Sequence, residues 1–431
     1  MRKITLNNEE RIKARIKRDK LKRLQKKQER NKQYDNFENV ISHVNYYAAL
    51  KKCMRGVGWK GSVQRYFQNS VVEIDNTIRT LYHGNLPKFT STKTIMIYER
   101  GKKRKIVPVT ISDRMTQRVL CDYALSPIVY KSLIYDNGAS MPNKGVNFAR
   151  KRIKHHLRKA KREYGNDFYA LVFDFKSYFD TIPHYQCLKV LQRCFTDKRI
   201  IGLIMSIIRS YAISTIQKID DPDKRKKMMN DLRHHKLHGI CLGSQISQIM
   251  ALAVPNVLDH YIKDKCGFKH YVRYMDDGVV IAKSKRELDQ LYKELKTIVS
   301  DIGLMFNENK SHIVRIRKGF TFLKVRYYID HRNKLAKELV RSGITRMRRK
   351  LRKFQTKVAN GKMSLDDVHN SMQSWLSHTK IAKSYHTKHR MLHLYESLFG
   401  EYNVTIKHGR RKPDEVLHNN WRFFYWDRFI T

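Results

Sequence analysis

Three aspartates stand where apolar strands end, and they constrain the fold more than any other feature of the sequence. The run FYALVFD ends at Asp174, and YVRYMDDGVVIA reads as a β-hairpin with Asp276 and Asp277 in its tight turn. A carboxylate without a partner at the end of a buried strand is costly, and adjacent carboxylates repel each other. A solvated β-turn is the ordinary alternative for an isolated Asp-Asp pair. The strand-end aspartate upstream favours a shared divalent cation instead, and hard oxygen ligands favour Mg²⁺.

The excess of basic residues indicates the kind of partner. Lysine and arginine number 89, aspartate and glutamate 39, so the formal net charge is +50. Such a molecule repels itself until a polyanion neutralises it, and nucleic acid is the default partner. The densest basic run, Arg11 to Lys32, belongs to a predicted basic N-terminal extension over residues 1–37. It is either a solvated tail or an arm that becomes ordered on RNA or DNA.

Composition argues against several classes of protein. With 41% hydrophobic residues, the chain has enough apolar material for a core, which argues against general disorder and predicts two or three compact units. None of the six cysteines lies in a Cys-x-x-Cys pair, which argues against a structural zinc site or a disulfide framework. No stretch approaches roughly twenty uncharged apolar residues, so we expect a cytoplasmic protein that has no membrane partner.

Hydrophobic periodicity predicts an alternation of helices and hairpins. The segment TKTIMIYERGKKRKIVPVTI reads as two β-rich runs joined by a basic glycine turn, and a helix is predicted to open at Ser112 and Asp113. SQISQIMALAVPNVLDHYI reads as a long buried helix that is interrupted at Pro255. HIVRIRKGFTFLKVRYYID is predicted to form one further hairpin, and the chain after Asp330 is predicted to be helical and basic.

These segments resemble the motifs of reverse transcriptases, in the family's order. FDFKSYFDTIPH resembles motif A, GICLGSQISQ motif B, and YVRYMDDGVVIA motif C with its Tyr-x-Asp-Asp signature. FNENKSHIV resembles motif D and FTFLKVRYYI motif E, while KKRKIVPVTISDRMTQRVLCDYALSPIVY resembles the finger motifs of bacterial group II intron and retron enzymes. The resemblance covers roughly residues 90 to 330. Each string alone is a weak signal, whereas five or six in register are a strong one.

The resemblance implies an α/β fold of the right-hand polymerase type, with an RRM-like palm, fingers and a helical thumb. The predicted domains are a basic N-terminal extension at 1–37, fingers with parts of the palm at 38–170, the palm at 171–332, the helical thumb at 333–400 and a C-terminal tail at 401–431. We recognise no endonuclease or integrase pattern after the thumb. This favours a stand-alone enzyme over an intron-encoded one.

The resemblance also implies a metal site. Asp174 and Asp276 match the carboxylates that bind the metal ions, Asp277 matches the third acidic residue, and the carbonyl of Phe175 would complete a coordination shell. The implied cofactor is Mg²⁺, with Mn²⁺ as a substitute, and two ions would clamp the attacking and leaving oxygens of phosphoryl transfer. Lys310 matches the motif D lysine that can protonate the departing pyrophosphate, and a surface lysine is the alternative.

Other matched positions would contact the incoming deoxynucleotide. Phe179 lies where the family has a bulky gate under the sugar, so its ring would collide with a ribose 2′-hydroxyl. A plain core aromatic is the alternative at this position. Lys103, Arg104 and Lys105 would close over the triphosphate from the finger hairpin, unless they form a solvated basic turn.

Motif B departs from the usual pattern. Cys241, Leu242 and Gly243 replace Pro-Gln-Gly, and Gln248 stands where many relatives have proline. An apolar residue in place of that glutamine resembles the enzymes of diversity-generating retroelements and of some abortive-infection groups. The resemblance places Leu242 and Gly243 at the nucleotide. Because the usual glutamine packs against the incoming nucleotide, its absence would affect base selection and leave the metal site intact.

Taken with the charge, the resemblance implies an RNA-directed DNA polymerase that copies a structured non-coding RNA template into a DNA product from dNTPs. Anti-phage defence is the first predicted role and a diversity-generating element the second, while the oligomeric state stays open. An RNA-dependent RNA polymerase is one alternative, and it would lack the bulky gate at Phe179. A non-catalytic, maturase-like RNA-binding protein is the other, and it would gain nothing from carboxylates clustered against a phosphate backbone.

Overall fold

The computed structural model describes residues 31–85, 95–99, 102–106, 108–217 and 219–400, together with isolated positions between 14 and 29. Most of the basic run from Arg11 to Lys32, and all of the tail at 401–431, lie outside the described residues. The chain forms two compact units. The first extends to Leu323 and includes Tyr327–Ala336, and the second consists of Lys324–Arg326 and the chain from Lys337 onward.

The first unit begins with helices and one hairpin. These elements are α1 (Phe37–Val40), α2 (His43–Met54), α3 (Gly61–Gln68), α4 (Ser70–Tyr82), β1 (Ile95–Glu99) and β2 (Lys102–Ile106). Strands β1 and β2 pair in antiparallel orientation, as the two β-rich runs predicted. The buried apolar side chains of α2 and α4 join the main core of the unit, so this region and the central sheet share one hydrophobic cluster.

A mainly helical region follows the hairpin. It contains α5 (Ile111–Leu120), a π-helical turn (Cys121–Leu125), α6 (Ser126–Ser132) and the long α7 (Val146–Tyr164). The hydroxyl of Thr110 accepts a hydrogen bond from the amide of Asp113 at 3.2 Å, so it caps α5. The helix therefore begins at Ile111, close to the predicted opening at Ser112.

The central sheet has four antiparallel strands in the order β4-β5-β3-β6. The elements from β3 to the end of this sheet are β3 (Tyr169–Phe173), α8 (Tyr178–Thr181), α9 (His184–Cys194), α10 (Lys198–Ile216), α11 (Pro222–Arg233), α12 (Gln245–Ala253), α13 (Asn256–His260), a π-helical turn (Tyr261–Lys265), β4 (Tyr271–Tyr274), β5 (Asp277–Ala282), α14 (Lys285–Asp301) and β6 (His312–Arg315). Helix α12 ends at Ala253 and α13 begins at Asn256, so the helix is interrupted at Pro255 as predicted.

Helices cover both faces of this sheet. Because side chains alternate along a strand, Leu171 and Val280 lie on one face and Val172 and Val279 on the other. The first pair belongs to the same hydrophobic cluster as the apolar residues of α12 and α14. Helix α7 contacts β4 and β5, and its buried residues are not members of that cluster. We infer that α7 covers the second face.

The strands after α14 differ from the predicted single hairpin. Strand β6 pairs with β3 at the edge of the central sheet. A separate three-stranded sheet, in the order β7-β8-β9, contains β7 (Phe320–Phe322), β8 (Val325–Ile329) and β9 (Leu335–Leu339). The prediction of one hairpin over 312–330 was wrong. Strand β6 pairs with β3, about 140 residues earlier in the chain, and a local sequence pattern does not reveal so distant a partner. Strand β9 also precedes the predicted basic helices.

The described part of the second unit, up to residue 400, contains three helices around a small core of its own. They are α15 (Arg341–Ala359), α16 (Leu365–Thr379) and α17 (Tyr385–Phe399). Their buried apolar residues are Met347, Leu351, Phe354, Val368, Met372, Met391 and Tyr395. Ser364 and Asp367 form a reciprocal capping box at the start of α16. None of the described helices is long and apolar enough to cross a membrane.

Candidate active site

Asp174 follows directly after β3 and is held there by its backbone. Its side chain lies in a buried position, with only 5% of the residue exposed. The amide of Asp174 donates to the hydroxyl of Ser311 at 3.2 Å, and its carbonyl accepts from the amide of Asn307 at 2.7 Å. Phe175 then forms a β-bridge with Phe306. The segment that resembles motif D therefore fixes the backbone on both sides of this carboxylate.

The hairpin of β4 and β5 brings the second pair of carboxylates to the same end of the sheet. Tyr274 pairs with Asp277 across the hairpin, and the turn between them uses a left-handed conformation at Met275, with φ of 54°. The neighbouring strand pairs Phe173 with Gly278. Because Asp174 follows Phe173 and Asp277 precedes Gly278, the two aspartates become neighbours at the ends of adjacent strands.

The charges at this end of the sheet interact. Burial, together with the neighbouring carboxylates of Asp276 and Asp174, raises the pKa of Asp277 to about 7. The ammonium of Lys310 lies 2.6 Å from Oδ2 of Asp174. Burial alone would lower the pKa of Lys310, but the bond to Asp174 and the nearby aspartates outweigh it and raise the pKa. Lys310 therefore stays protonated and partly compensates the three carboxylates.

The donor set fits a divalent cation by its chemistry. Carboxylate oxygens are hard ligands, and here they carry more negative charge than Lys310 compensates. Within the part of the chain that the structure describes, no group of three or more histidine, cysteine, aspartate or glutamate side chains is already arranged around a common metal position. Lys310 supplies the positive charge beside Asp174 in this arrangement, and a bound cation would take over that role.

The residues predicted to contact the nucleotide lie in three places. Phe179 is half-buried in α8, with its ring edge-on to Tyr178 at 5.7 Å. Its carbonyl accepts a hydrogen bond from the amide of Ile240 at 2.8 Å, beside the turn that holds Leu242 and Gly243. Lys103, Arg104 and Lys105 lie on strand β2, and their side chains are outside the description.

A buried hydrogen bond joins α5 to the turn before α12. The hydroxyl of Ser244 donates to Oε1 of Gln117 at 2.9 Å, and both residues are buried. Ser244 also caps α12, where its hydroxyl accepts from the amide of Ser247. Gly243 precedes it with φ of 108°, a conformation that favours glycine. Gln117 was not predicted from the sequence, although a glutamine on an apolar helix face was a visible signal.

Arg273 and Asp259 form a second feature that sequence reasoning missed. Both side chains have no exposed surface, and the guanidinium lies 2.6 Å from Oδ2 of Asp259. Arg273 also donates to the carbonyls of Met275 and Leu252, each at 2.9 Å, and the hydroxyl of Tyr271 donates to Asp259 at 2.6 Å. One guanidinium thus ties the turn before Asp276 to the end of α12. The signal was an arginine inside an apolar strand.

Gly278 is required by close packing against the strand that carries Asp174. A Cβ atom at Gly278 would lie 2.1 Å from Cζ of the Phe173 ring. Such an overlap forces the buried Phe173 ring, or one of the two strands, to move, and overpacking of a core typically costs about 1–3 kcal/mol. The spacing of Asp174 and Asp277 therefore depends on the absence of a side chain at this position.

We expect Gly278→Ala to lower kcat by about a hundredfold, because a shift of roughly 1 Å at a reacting group has that effect. Primer extension at saturating nucleotide measures it. The matched control is Gly202→Ala, since a Cβ on Gly202 meets nothing within 4 Å. The double variant Gly278→Ala/Phe173→Leu should recover part of the activity. Full activity in Gly278→Ala alone would contradict the account.

Comparison with known proteins decides the family. The family model described as Reverse transcriptase (RNA-dependent DNA polymerase) matches residues 86–327, which is more than half of the chain. The chain belongs to the reverse transcriptase family. It carries the domain of an RNA-directed DNA polymerase, and its fold is the α/β right-hand polymerase fold that the motifs predicted.

Two curated proteins are similar to this reverse transcriptase. Protein YkfC of Escherichia coli (strain K12) is 22% identical over 285 residues, which cover 58% of this chain and 70% of that protein. The "Putative COX1/OXI3 intron 1 protein" of Saccharomyces cerevisiae is 25% identical over 160 residues, which cover 37% of this chain and 16% of that protein.

Two solved telomerase structures are similar at a low level. Apo telomerase from Candida tropicalis, truncated from the C-terminal domain, is 13% identical with a TM-score of 0.37, and the match covers 62% of this chain and 60% of that one. Telomerase from Candida albicans in complex with a fragment of telomeric RNA is 12% identical with a TM-score of 0.41, and the match covers 71% and 61%. The reverse transcriptase thus spans about three fifths of these two chains.

Proposed function

We propose that this reverse transcriptase copies an RNA template into DNA, with Asp174, Asp276 and Asp277 holding two divalent cations and the carbonyl of Phe175 completing a shell. When bound, Mg²⁺ or Mn²⁺ would activate the attacking hydroxyl and neutralise charge on the leaving pyrophosphate. The observation that carries the proposal is the meeting of Asp174 and Asp277 where two buried strands end. Primer extension on an RNA template by the purified chain tests it.

The chain's own residues would position the reactants and move one proton. Lys310 holds its proton at Nζ beside Asp174, and we assign it as the general acid for the pyrophosphate. Leu242 and Gly243 would line the nucleotide pocket next to Phe179. Lys103, Arg104 and Lys105 of the finger hairpin would hold the triphosphate by charge-assisted contacts.

Magnesium should stabilise the folded protein by binding to the aspartates. A ligand that binds only the folded state stabilises it by about 2.7 kcal/mol at a hundredfold excess over Kd. We expect an upward shift of the melting temperature with Mg²⁺, read by differential scanning fluorimetry and reversed by a chelator. Asp277→Asn should lose most of the shift, whereas Asp289→Asn, an exposed position on α14, should keep it. Equal shifts in all three proteins would place the bound ion elsewhere.

Phe179 should set the preference for deoxynucleotides. If its ring blocks the space of a 2′-hydroxyl, Phe179→Val should raise relative ribonucleotide incorporation at least about tenfold, because small steric changes in a pocket are worth 10- to 200-fold. Steady-state incorporation of both nucleotide classes measures the ratio. Phe148→Val, at another half-buried aromatic, is the matched control. An unchanged ratio in Phe179→Val would leave this residue as part of the core.

The template and the biological role extend the same proposal. The net charge of +50 supports a large, structured RNA as template and partner, with the basic N-terminal extension as one further contact. The apolar Leu242 in motif B is compatible with both predicted roles, of which anti-phage defence is the first candidate and a diversity-generating element the second. Phage plating efficiency on cells that carry the wild type or Asp277→Asn tests the first role, and equal efficiencies would contradict it.

A maturase-like role in RNA binding is the second candidate. The similarity to the yeast intron protein favours it. Under this alternative the carboxylates would be dispensable, so Asp277→Asn would leave the biological function unchanged while any DNA synthesis disappears. Complementation with this variant therefore separates the two candidates.

A further inference from the structure

Helix α7 carries a row of basic side chains on the face that turns away from the sheet. Its buried residues, Ala149, Ile153, His156, Leu157 and Ala160, recur every three or four positions and form one side of the helix. The opposite side presents Lys151, Lys154, His155, Arg158, Lys159 and Arg162, all exposed except the half-buried Lys154. We call these six residues the α7 stripe.

The α7 stripe has little acidic compensation within the described part of the chain, where only Lys159 among its residues interacts electrostatically with Glu163. There, none of its lysines or arginines forms an ion pair with an acidic side chain. The other basic residues of α7 have internal partners: Arg152 pairs with Asp136, and Arg150 donates to the carbonyl of Leu323. Glu163 is the single acidic residue of α7, and its carboxylate lies 3.0 Å from Nε2 of His270.

The α7 stripe extends away from the catalytic carboxylates. Helix α7 leads directly into β3, which begins at Tyr169, so its C-terminal half lies at the end of the sheet where β3 starts. Asp174 lies at the other end of that strand, about 16 Å away at 3.3 Å per residue. His270, at the start of β4, contacts His156 and Glu163, which confirms this placement of α7.

The dimensions and composition of the stripe suit a nucleic acid duplex. Lys151 and Arg162 are separated by eleven positions, or about 16 Å along the helix. Unpaired bases are bound on aromatic platforms, and the stripe offers no aromatic ring besides the imidazole of His155. Double-stranded RNA is recognised mostly through its shape and its phosphates, which cationic side chains in a row can contact.

We propose that the α7 stripe binds the sugar–phosphate backbone of a double-stranded stem in the partner RNA, apart from the catalytic cleft. The inference rests on the proposed function in one respect, namely that the reverse transcriptase acts with a structured RNA. The α7 stripe gives the enzyme a second binding site for that RNA. This site holds the folded part of the RNA while the template segment enters the active site.

The test uses the full chain and an RNA hairpin of roughly 16 base pairs, the length that double-stranded-RNA-binding domains span. The variant is Lys151→Gln/Arg158→Gln/Arg162→Gln. The matched control is Lys224→Gln/Lys226→Gln/Lys227→Gln, which removes three exposed charges from α11. We expect the stripe variant to bind the hairpin at least about tenfold more weakly and to flatten the slope of log affinity against log salt by about 2 to 3, since each phosphate contact contributes about 0.9. The α11 control should change the slope by less than about one.

Three outcomes would overturn the proposal. Equal changes in the stripe variant and the control would mean that only the overall charge matters. An unchanged hairpin affinity in the stripe variant would exclude the stem. Hairpin binding that stays normal, with primer extension that fails only once the RNA–DNA hybrid becomes long, would assign the stripe to the product duplex. Absence of DNA synthesis by the wild-type protein would contradict the proposed function alone, because hairpin binding is measured without primer or nucleotides.

Discussion

We expect Asp277→Asn to abolish DNA synthesis and to leave the protein folded. The substitution removes a metal ligand, and we expect activity to fall by at least about a thousandfold, comparable with the loss of a major electrostatic contribution to catalysis. Stability should not fall, because Asp277 lies against Asp276 and Asp174 in surroundings that disfavour its ionised form. Above pH 7, in the absence of metal, the variant should melt at the same temperature as the wild type or higher.

The sign of this stability effect follows from the pKa of Asp277. Its value in the folded protein, about 7, lies above the ordinary 3.8, so the folded state binds this proton more tightly than the unfolded state does. The contribution of Asp277 to stability is therefore present below about pH 4 and is lost as the pH rises to 7. Asparagine does not ionise, so Asp277→Asn does not lose this stability as the pH rises. A melting curve and primer extension on the same preparation measure both effects, with Asp289→Asn as the control.

Arg273→Met should destabilise the protein severely. Removal of one partner from a buried pair leaves an uncompensated charge and costs about 3–5 kcal/mol. In the wild type, the side chains of Arg273 and Tyr271 both donate hydrogen bonds to Asp259. In the variant, only the hydroxyl of Tyr271 would still do so. Chemical denaturation measures the loss. Arg315→Met, which breaks the half-exposed pair with Asp167, is the control and should cost far less, because water screens an exposed ion pair.

A double variant separates the structural and catalytic roles of Arg273. Replacement of a buried ion pair by apolar residues is often neutral or stabilising, so Arg273→Met/Asp259→Leu should fold. The carbonyls of Met275 and Leu252 would still lose their donor. We therefore expect kcat to remain lowered by about a hundredfold through displacement of the turn, with a smaller change in KM. Wild-type kcat in the stable double variant would show that Arg273 contributes to stability alone.

The local features of the site were predictable from the sequence. The apolar strand ending in Asp174 and the hairpin with Asp276 and Asp277 are local features, and the family motifs gave their common location in a palm. The interruption at Pro255 is equally local, because proline cannot continue a helix. Adjacent antiparallel strands then bring the aspartates together without any further information.

Non-local contacts were not predictable from the same sequence. The pairing of β6 with β3 depends on which sheet edge is available after the whole palm has formed. The partner of Arg273 is fourteen positions away on a different element, and only the fold shows that Asp259 compensates it. Gly278 appeared as an ordinary residue after the Asp-Asp pair. Its importance arises from the Phe173 ring on the neighbouring strand.

The most direct test of the central claim is primer extension on an RNA template by the purified full chain with Mg²⁺. The reaction is run with dNTPs or with ribonucleotides, in parallel for the wild type, Asp277→Asn and Asp289→Asn. We expect full-length DNA from the wild type and from Asp289→Asn, little product with ribonucleotides, and none from Asp277→Asn. DNA synthesis by Asp277→Asn at the wild-type rate, or a wild-type product made only from ribonucleotides, would contradict it.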